Sequence, residues 1–224
     1  EEPGLGPRVR GAQLDVIGHV NPLRLVRALA RTAIKHGASI EEGMPVSALA
    51  LRGGRLQGVL GPEGLVHADA VVLAAGPWSA SLAAPAGVAL DVRPSRGQLV
   101  VLEPQRAVLK RTLLWQGSYL VPKPDGSVMA GSTEEDSGFD ARPTAEGVHL
   151  ILDFAVRAVP GLATAAVTRT AAALRPATPD GRPIIGSAAG LPGLVLACGH
   201  NRKGVLLAPI TAELVAQRLA SAAS

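Results

Sequence analysis

The chain has 224 residues, one cysteine and a formal net charge of +4. A lone cysteine excludes an internal disulfide and any Cys-based metal cluster, and suits a reducing cytoplasm. The basic residues are scattered and not interleaved with the few aromatics (Trp78, Trp115, Tyr119, Phe139, Phe154), which excludes a nucleic-acid platform.

Residues 1–18 are rich in Pro, Gly and Arg and read as loop with at most one strand. They show no basic n-region or apolar h-region and so do not read as a signal peptide. No apolar stretch reaches the roughly 18 residues of a membrane helix. A helix follows: Asn21 suits the N-cap and Pro22 the first helical position, where its missing N–H costs nothing. Leu25, Val26, Leu29 and Ala33 recur at helical spacing, and Gly37 stands where a left-handed residue ends a helix. The period then changes. Val46–Leu51, Arg55–Leu60 and Leu65–Ala68 predict three short strands, punctuated by Gly53-Gly54 and Gly61-Pro62-Glu63-Gly64. Ala70–Gly76 is a continuous apolar run ended by Gly, the pattern of a parallel strand buried on both faces.

From residue 81 to 172 the text is different. Leu99–Leu102, Leu113–Trp115, Tyr119–Val121 and Val128–Ala130 predict short strands, and Pro124-Asp125-Gly126 a hairpin turn. Thr144 to Val159 has helical periodicity and stops at Pro160-Gly161. Residues 173–224 return to α/β character, with a buried strand Leu194–Cys198, a polar turn Gly199–Gly204 and a helix Val205–Leu219. The expected fold is α/β with mixed α+β character: a partial Rossmann-like nucleotide-binding domain in two pieces, 1–80 and 173–224, around an antiparallel-sheet domain at 81–172.

Two stretches bear on chemistry. In Ala197–Pro209 a buried strand feeds a glycine-flanked turn that opens straight into a helix. Such a helix start presents free N–H groups and the positive end of the macrodipole to any group gaining negative charge. The same residues read equally well as a plain polar turn. In Ala173–Gly186, Arg175 follows an apolar run and precedes two prolines that stiffen a loop. A guanidinium held there could take a carboxylate through two parallel hydrogen bonds, although a structural ion pair is the commoner role of an isolated Arg.

Other signals carry less. Gly4-Leu5-Gly6 lacks the third glycine, the strand before and the helix after that a dinucleotide fingerprint needs. Thr133-Glu134-Glu135-Asp136 reads as a solvated acidic turn, and the five histidines show no metal-ligand spacing. Cys198 lies in an apolar strand and reads as an inert core thiol. Trp78 and Trp115 read as packing residues.

The two C-terminal stretches together resemble the signature of the glycine oxidase and D-amino-acid oxidase family of flavoenzymes. That signature is an Arg-Pro-x-Thr-x-Asp-Gly-x-Pro-x-Ile-Gly loop, a short strand, then Gly-His-x-Arg-x-Gly-(Ile/Val)-Leu-Leu-Ala-Pro. Ala74–Ser79, Tyr119–Pro122 and Gly131–Asp140 extend the likeness upstream, the last especially towards glycine oxidases. The resemblance implies an FAD cofactor and oxidation of a small amino acid, with hydride passing to flavin and molecular oxygen reoxidising it to peroxide. A role in thiamine biosynthesis, as in that branch, and a cytoplasmic location go with it; a homo-oligomer is compatible. It makes Arg175 the carboxylate-binding residue, sets Arg202 beside substrate and flavin, and makes Tyr119 a substrate-positioning tyrosine. The flavin-lining residues it implies are Ala75 and Gly76 with Gly199, His200, Asn201, Arg202, Lys203, Gly204, Val205 and Leu206; Val46 meets the adenine side through its main chain. Lys203 departs from the usual Asn and leaves the substrate open. Related readings are an oxidase or dehydrogenase of sarcosine, proline or D-amino acids. A non-catalytic fragment or partner-dependent subunit is the alternative of another class, since the family's glycine fingerprint is absent from these residues.

Overall fold

The structure is a computed structural model that describes residues 4–7, 9, 13 and 18–222. The strand allowed for within residues 1–18 falls largely outside the described residues. The chain forms two compact units from non-contiguous segments. One comprises His19–Arg93 and Arg175–Ser224; the other comprises Pro94–Leu174 with the described part of residues 1–18.

The first unit opens with helix α1 (Pro22–Lys35), whose ends obey the local chemistry. The Asn21 side chain accepts the Arg24 N–H at 3.1 Å. At the other end Gly37, at φ +91°, donates to the Ile34 carbonyl, while Ala38 donates to that of Ala33. Those two bonds close a Schellman motif. None of the helix's residues is buried, and Leu23, Val26, Leu29 and Ile34 lie exposed. An antiparallel meander follows, of β1 (Ala48–Arg52), β2 (Arg55–Gly61) and β3 (Gly64–His67). Its ladder begins where the Ser47 N–H reaches the Leu60 carbonyl at 2.9 Å, so Val46 stands just ahead of the first strand. Strand β4 (Val71–Leu73) is shorter than its apolar run and is not buried on both faces: Leu73 is buried, but Val72 is 37% exposed. A short helix α2 (Ser79–Ala83), too brief to show periodicity, comes after it.

The second unit is a five-stranded sheet under one helix. Strands β5 (Arg93–Glu103), β6 (Leu113–Trp115), β7 (Ser118–Pro122) and β8 (Val128–Gly131) lead to α3 (Ala145–Ala158) and β9 (Ala166–Ala177). The sheet order is β6-β7-β8-β5-β9. The expected turn is present: the Asp125 carboxylate accepts the Ser127 N–H at 3.0 Å, and Gly126 has φ +87°. Helix α3 is capped by Thr144, whose hydroxyl accepts the Gly147 N–H, and it ends just before Pro160. Val100, Leu102, Leu120, Val128 and Ala130 pack with Ile151, Phe154 and Ala155 of α3 in one core. Because side chains alternate across a sheet, Leu99, Tyr119, Met129 and Gly131 take the opposite face. Strand β9 has no counterpart in the expected elements; its run of alanines favours a helix locally, and sheet pairing overrides that preference.

The chain then completes the first unit with β10 (Ile184–Ser187), β11 (Leu194–Cys198) and α4 (Gly204–Ala222). Strand β11 pairs antiparallel with β10 and parallel with β4, with Leu196 opposite Leu73. Leu49, Leu56, Leu73, Ala83, Leu194 and Leu196 share the core beneath. No helix among the described residues is long and apolar enough to cross a membrane.

Candidate functional site

Parallel pairing of β4 with β11 sends both strands out of the sheet at one edge. Gly76 opens a 3₁₀ turn three residues after β4 ends, and Gly199 directly follows β11. Both have positive φ, +55° and +75°, a region that costs a side-chain residue energy. A Cβ on Gly199 would also come within 2.6 Å of the Thr178 methyl. Carboxyl ends of parallel strands are where open α/β sheets bind ligands, because the loops there leave a crevice. Here the crevice is an apolar groove of about 370 Å³, lined by Val72, Ala74 and Gly76 on one side and Gly204, Ala208 and Ala212 of α4 on the other.

The turn between β11 and α4 supplies the polar groups. His200 lies against α4, its Nε2 2.9 Å from the Thr211 hydroxyl, and burial holds its pKa below the ordinary imidazole value. Asn201 adopts φ +45°, and its side-chain carbonyl is buried with no hydrogen-bond partner among the described residues. Arg202 and Lys203, in a 3₁₀ turn, are exposed, as are Val205 and Leu206 at the helix start. The first turn of α4 directs its N–H groups out of the helix end. Cys198 is buried, and burial raises its thiol pKa.

Of the residues singled out in the sequence, Gly76, His200 and Gly204 line this groove together, and Ala75 and the rest of Gly199–Leu206 adjoin them along the chain. Val46 belongs to the approach to a different sheet. Arg175 does not sit in a proline-stiffened loop: it is half-buried near the end of β9, where strand pairing rather than proline fixes the backbone.

Tyr119 lies on β7 in the other unit, half-exposed on the sheet face away from α3. Behind that sheet runs a polar network that the sequence did not disclose. Arg96, 7% exposed, donates to the Glu135 carboxylate from Nε at 3.0 Å and from a terminal nitrogen at 2.5 Å. Gln98, fully buried, donates to Glu135 at 2.7 Å and to the Thr144 hydroxyl at 3.0 Å. Thr133 bonds the same carboxylate. Burial works against ionisation of Glu135, but the bonds from Thr133, Arg96 and Gln98 and the Arg96 charge hold its pKa below the ordinary value. The run read as a solvated acidic turn is therefore, at Glu135, a structural anchor. Only the spacing of Arg96 and Gln98 on a strand hinted at it, because their partner lies almost forty residues away.

The groove and its rim suit a ligand with a flat apolar body and a polar edge. Its walls are small and apolar, His200 lies among them, and the start of α4 offers N–H donors to an edge that gains negative charge. Fold and site thus describe the carboxyl-edge part of a nucleotide-binding α/β domain. The chain belongs to the FAD dependent oxidoreductase (DAO) family, which it matches over residues 1–218. It is similar to the glycine oxidase of Pseudomonas putida, 36% identical over 222 residues that make up 98% of this chain and 61% of the relative. It is 37% identical to the bifunctional protein ThiO/ThiG of Nostoc sp. over 96% of this chain and 33% of that protein. The crystal structure of glycine oxidase from Geobacillus kaustophilus superposes with a TM-score of 0.82 at 34% identity, covering 88% of this chain and 53% of that one. The chain thus spans about three fifths of the Pseudomonas glycine oxidase.

Proposed function

We propose that this chain is the greater part of an FAD-dependent oxidase of a small amino acid, acting in the manner of glycine oxidase. The observation that supports it best is that the parallel strands β4 and β11 run out at one sheet edge into the positive-φ glycines Gly76 and Gly199, the second leading straight to the start of α4. In this reading the unit His19–Arg93 with Arg175–Ser224 binds FAD and the unit around Pro94–Leu174 receives substrate. Bound flavin would supply the hydride acceptor for oxidation of the amino acid at its α-carbon, with molecular oxygen as the final acceptor and peroxide as the product. The protein's part is orientation and electrostatics. Arg175 takes the substrate carboxylate, Tyr119 orients the amino acid, and Arg202 stands by as a second cation. The backbone of Gly199–Leu206 and the α4 dipole would hold the flavin's polar edge and favour negative charge there, and Ala75 and Gly76 would admit the ring closely. Val46 meets the adenine end. The likeness to ThiO/ThiG supports the place in thiamine biosynthesis expected for the glycine oxidase branch.

The test is peroxide release by the flavin-loaded protein from glycine, sarcosine, proline and D-alanine, in wild type and Arg175→Ala. Two charge-assisted bonds at about 1.5–3 kcal/mol each imply a KM rise of roughly a hundredfold or more, with flavin content unchanged. An unchanged KM removes Arg175 from the carboxylate. A flavin-bearing protein that releases no peroxide from any of the four sinks the oxidase reading.

A further inference from the structure

Gly131 sits in the middle of the second unit's sheet, opposite Tyr119 on one neighbouring strand and opposite Leu99 on the other. Alternation puts all three on the face turned away from α3. Its φ is not in the left-handed region; it is the last residue of β8 and is joined to Ser132 by a cis peptide bond. A side chain here would lack space. A Cβ on Gly131 would stand 2.7 Å from the Tyr119 hydroxyl oxygen, 2.8 Å from Cζ and 3.1 Å from Cε2. Ordinary carbon contacts lie at about 3.5–4.0 Å. The Tyr119 ring therefore lies across the bare backbone of β8, and its outer end occupies the volume of the missing side chain. Because Tyr119 is half-exposed, it has room to swing away. An added methyl would thus displace the hydroxyl by roughly 1 Å and leave the strands paired.

We propose that Gly131 is a positioning residue: by withholding a side chain it fixes where the Tyr119 hydroxyl stands, and so how the amino-acid substrate is held. The proposal rests on the reading of Tyr119 as a substrate contact. A displacement of that size at an orienting group lowers turnover on the order of ten- to a hundredfold.

Tyr119 is the only tyrosine in the chain, so labelling with 3-fluorotyrosine gives a single ¹⁹F resonance. Gly131→Ala is expected to shift that resonance and to lower kcat/KM for the amino acid, at unchanged flavin content. In a Tyr119→Ala background the same substitution should have no further effect. An unmoved resonance, or an equal loss of activity in the Tyr119→Ala background, overturns the proposal. If Gly131→Ala does not fold but Gly131→Ala/Tyr119→Ala does, the ring is what excludes the methyl and the proposal stands; if neither folds, the glycine serves the strand and the proposal fails. Tyr119→Phe separates the layers. Full activity there, with the ¹⁹F shift of Gly131→Ala intact, refutes Tyr119 as a substrate contact and with it the functional half of the proposal, while leaving the packing half in place.

Discussion

Replacing Gly147 by Ala ought to stabilise this protein if only helix propensity counted. It is the third residue of α3, where alanine is favoured over glycine by up to about 1 kcal/mol. The structure reverses the sign. A Cβ at Gly147 would fall on the side-chain amide of Gln98, which is fully buried. That amide donates to Glu135 at 2.7 Å and to Thr144 Oγ1 at 3.0 Å, and it accepts the Thr144 N–H at 2.8 Å. The bond to the carboxylate contributes about 1.5–3 kcal/mol and the two neutral ones about 0.5–1.5 each. Losing all three and gaining the propensity term leaves a net destabilisation of about 1.5–5 kcal/mol. Urea unfolding followed through Trp115, which packs 6.1 Å from Phe154, reports on this unit; Trp78→Phe removes the other tryptophan signal. Gly147→Ala should lower the midpoint. In a Gln98→Ala background the same substitution should raise it slightly, because only propensity is left. A Gly147→Ala protein as stable as wild type would refute the reasoning, showing that Gln98 moves aside at no cost.

Two further outcomes follow from the turn after β11. Burial lowers the His200 pKa from its ordinary 6.5. The unfolded chain therefore binds that proton more readily, so the stability tied to neutral His200 is complete above pH 6.5 and is lost as pH falls below it. Urea midpoints between about pH 7.5 and 5.5 should fall more steeply in wild type than in His200→Gln; equal slopes would contradict the sign. Cys198, buried and with a raised pKa, should react with a thiol reagent only as fast as the protein opens. Rapid labelling of the native protein would show an accessible thiolate instead.

Where the sequence was legible, the cause was local. Asn21, Pro22 and Gly37 delimit α1 because capping is decided within a few residues, and the Pro124–Gly126 turn and Thr144–Pro160 helix are read in the same way. Strand β9 was not legible, because its alanines name a helix and only the neighbouring β5 makes it a strand. Arg175 was placed in a loop for the same reason. In the candidate site, both glycine turns stood out individually, but that their strands end at one sheet edge depends on a pairing of Val71 with Leu194. Gly131 stood out only as the start of a family-like stretch and Gly147 not at all, since what excludes a side chain at each is a residue on another element.

That long-range pairing also constrains how the protein is made. Strand β4 leaves the ribosome with its partner strand still untranslated, since Val71 pairs with Leu194. At about 5–20 residues per second, those intervening residues take roughly 6–25 s to synthesise. During that interval the whole of Pro94–Leu174 emerges and can close its own core, whereas the unit opened by His19–Arg93 must wait for its second half. Translation order and folding order are therefore inverted: the segment that interrupts is finished before the segment it interrupts.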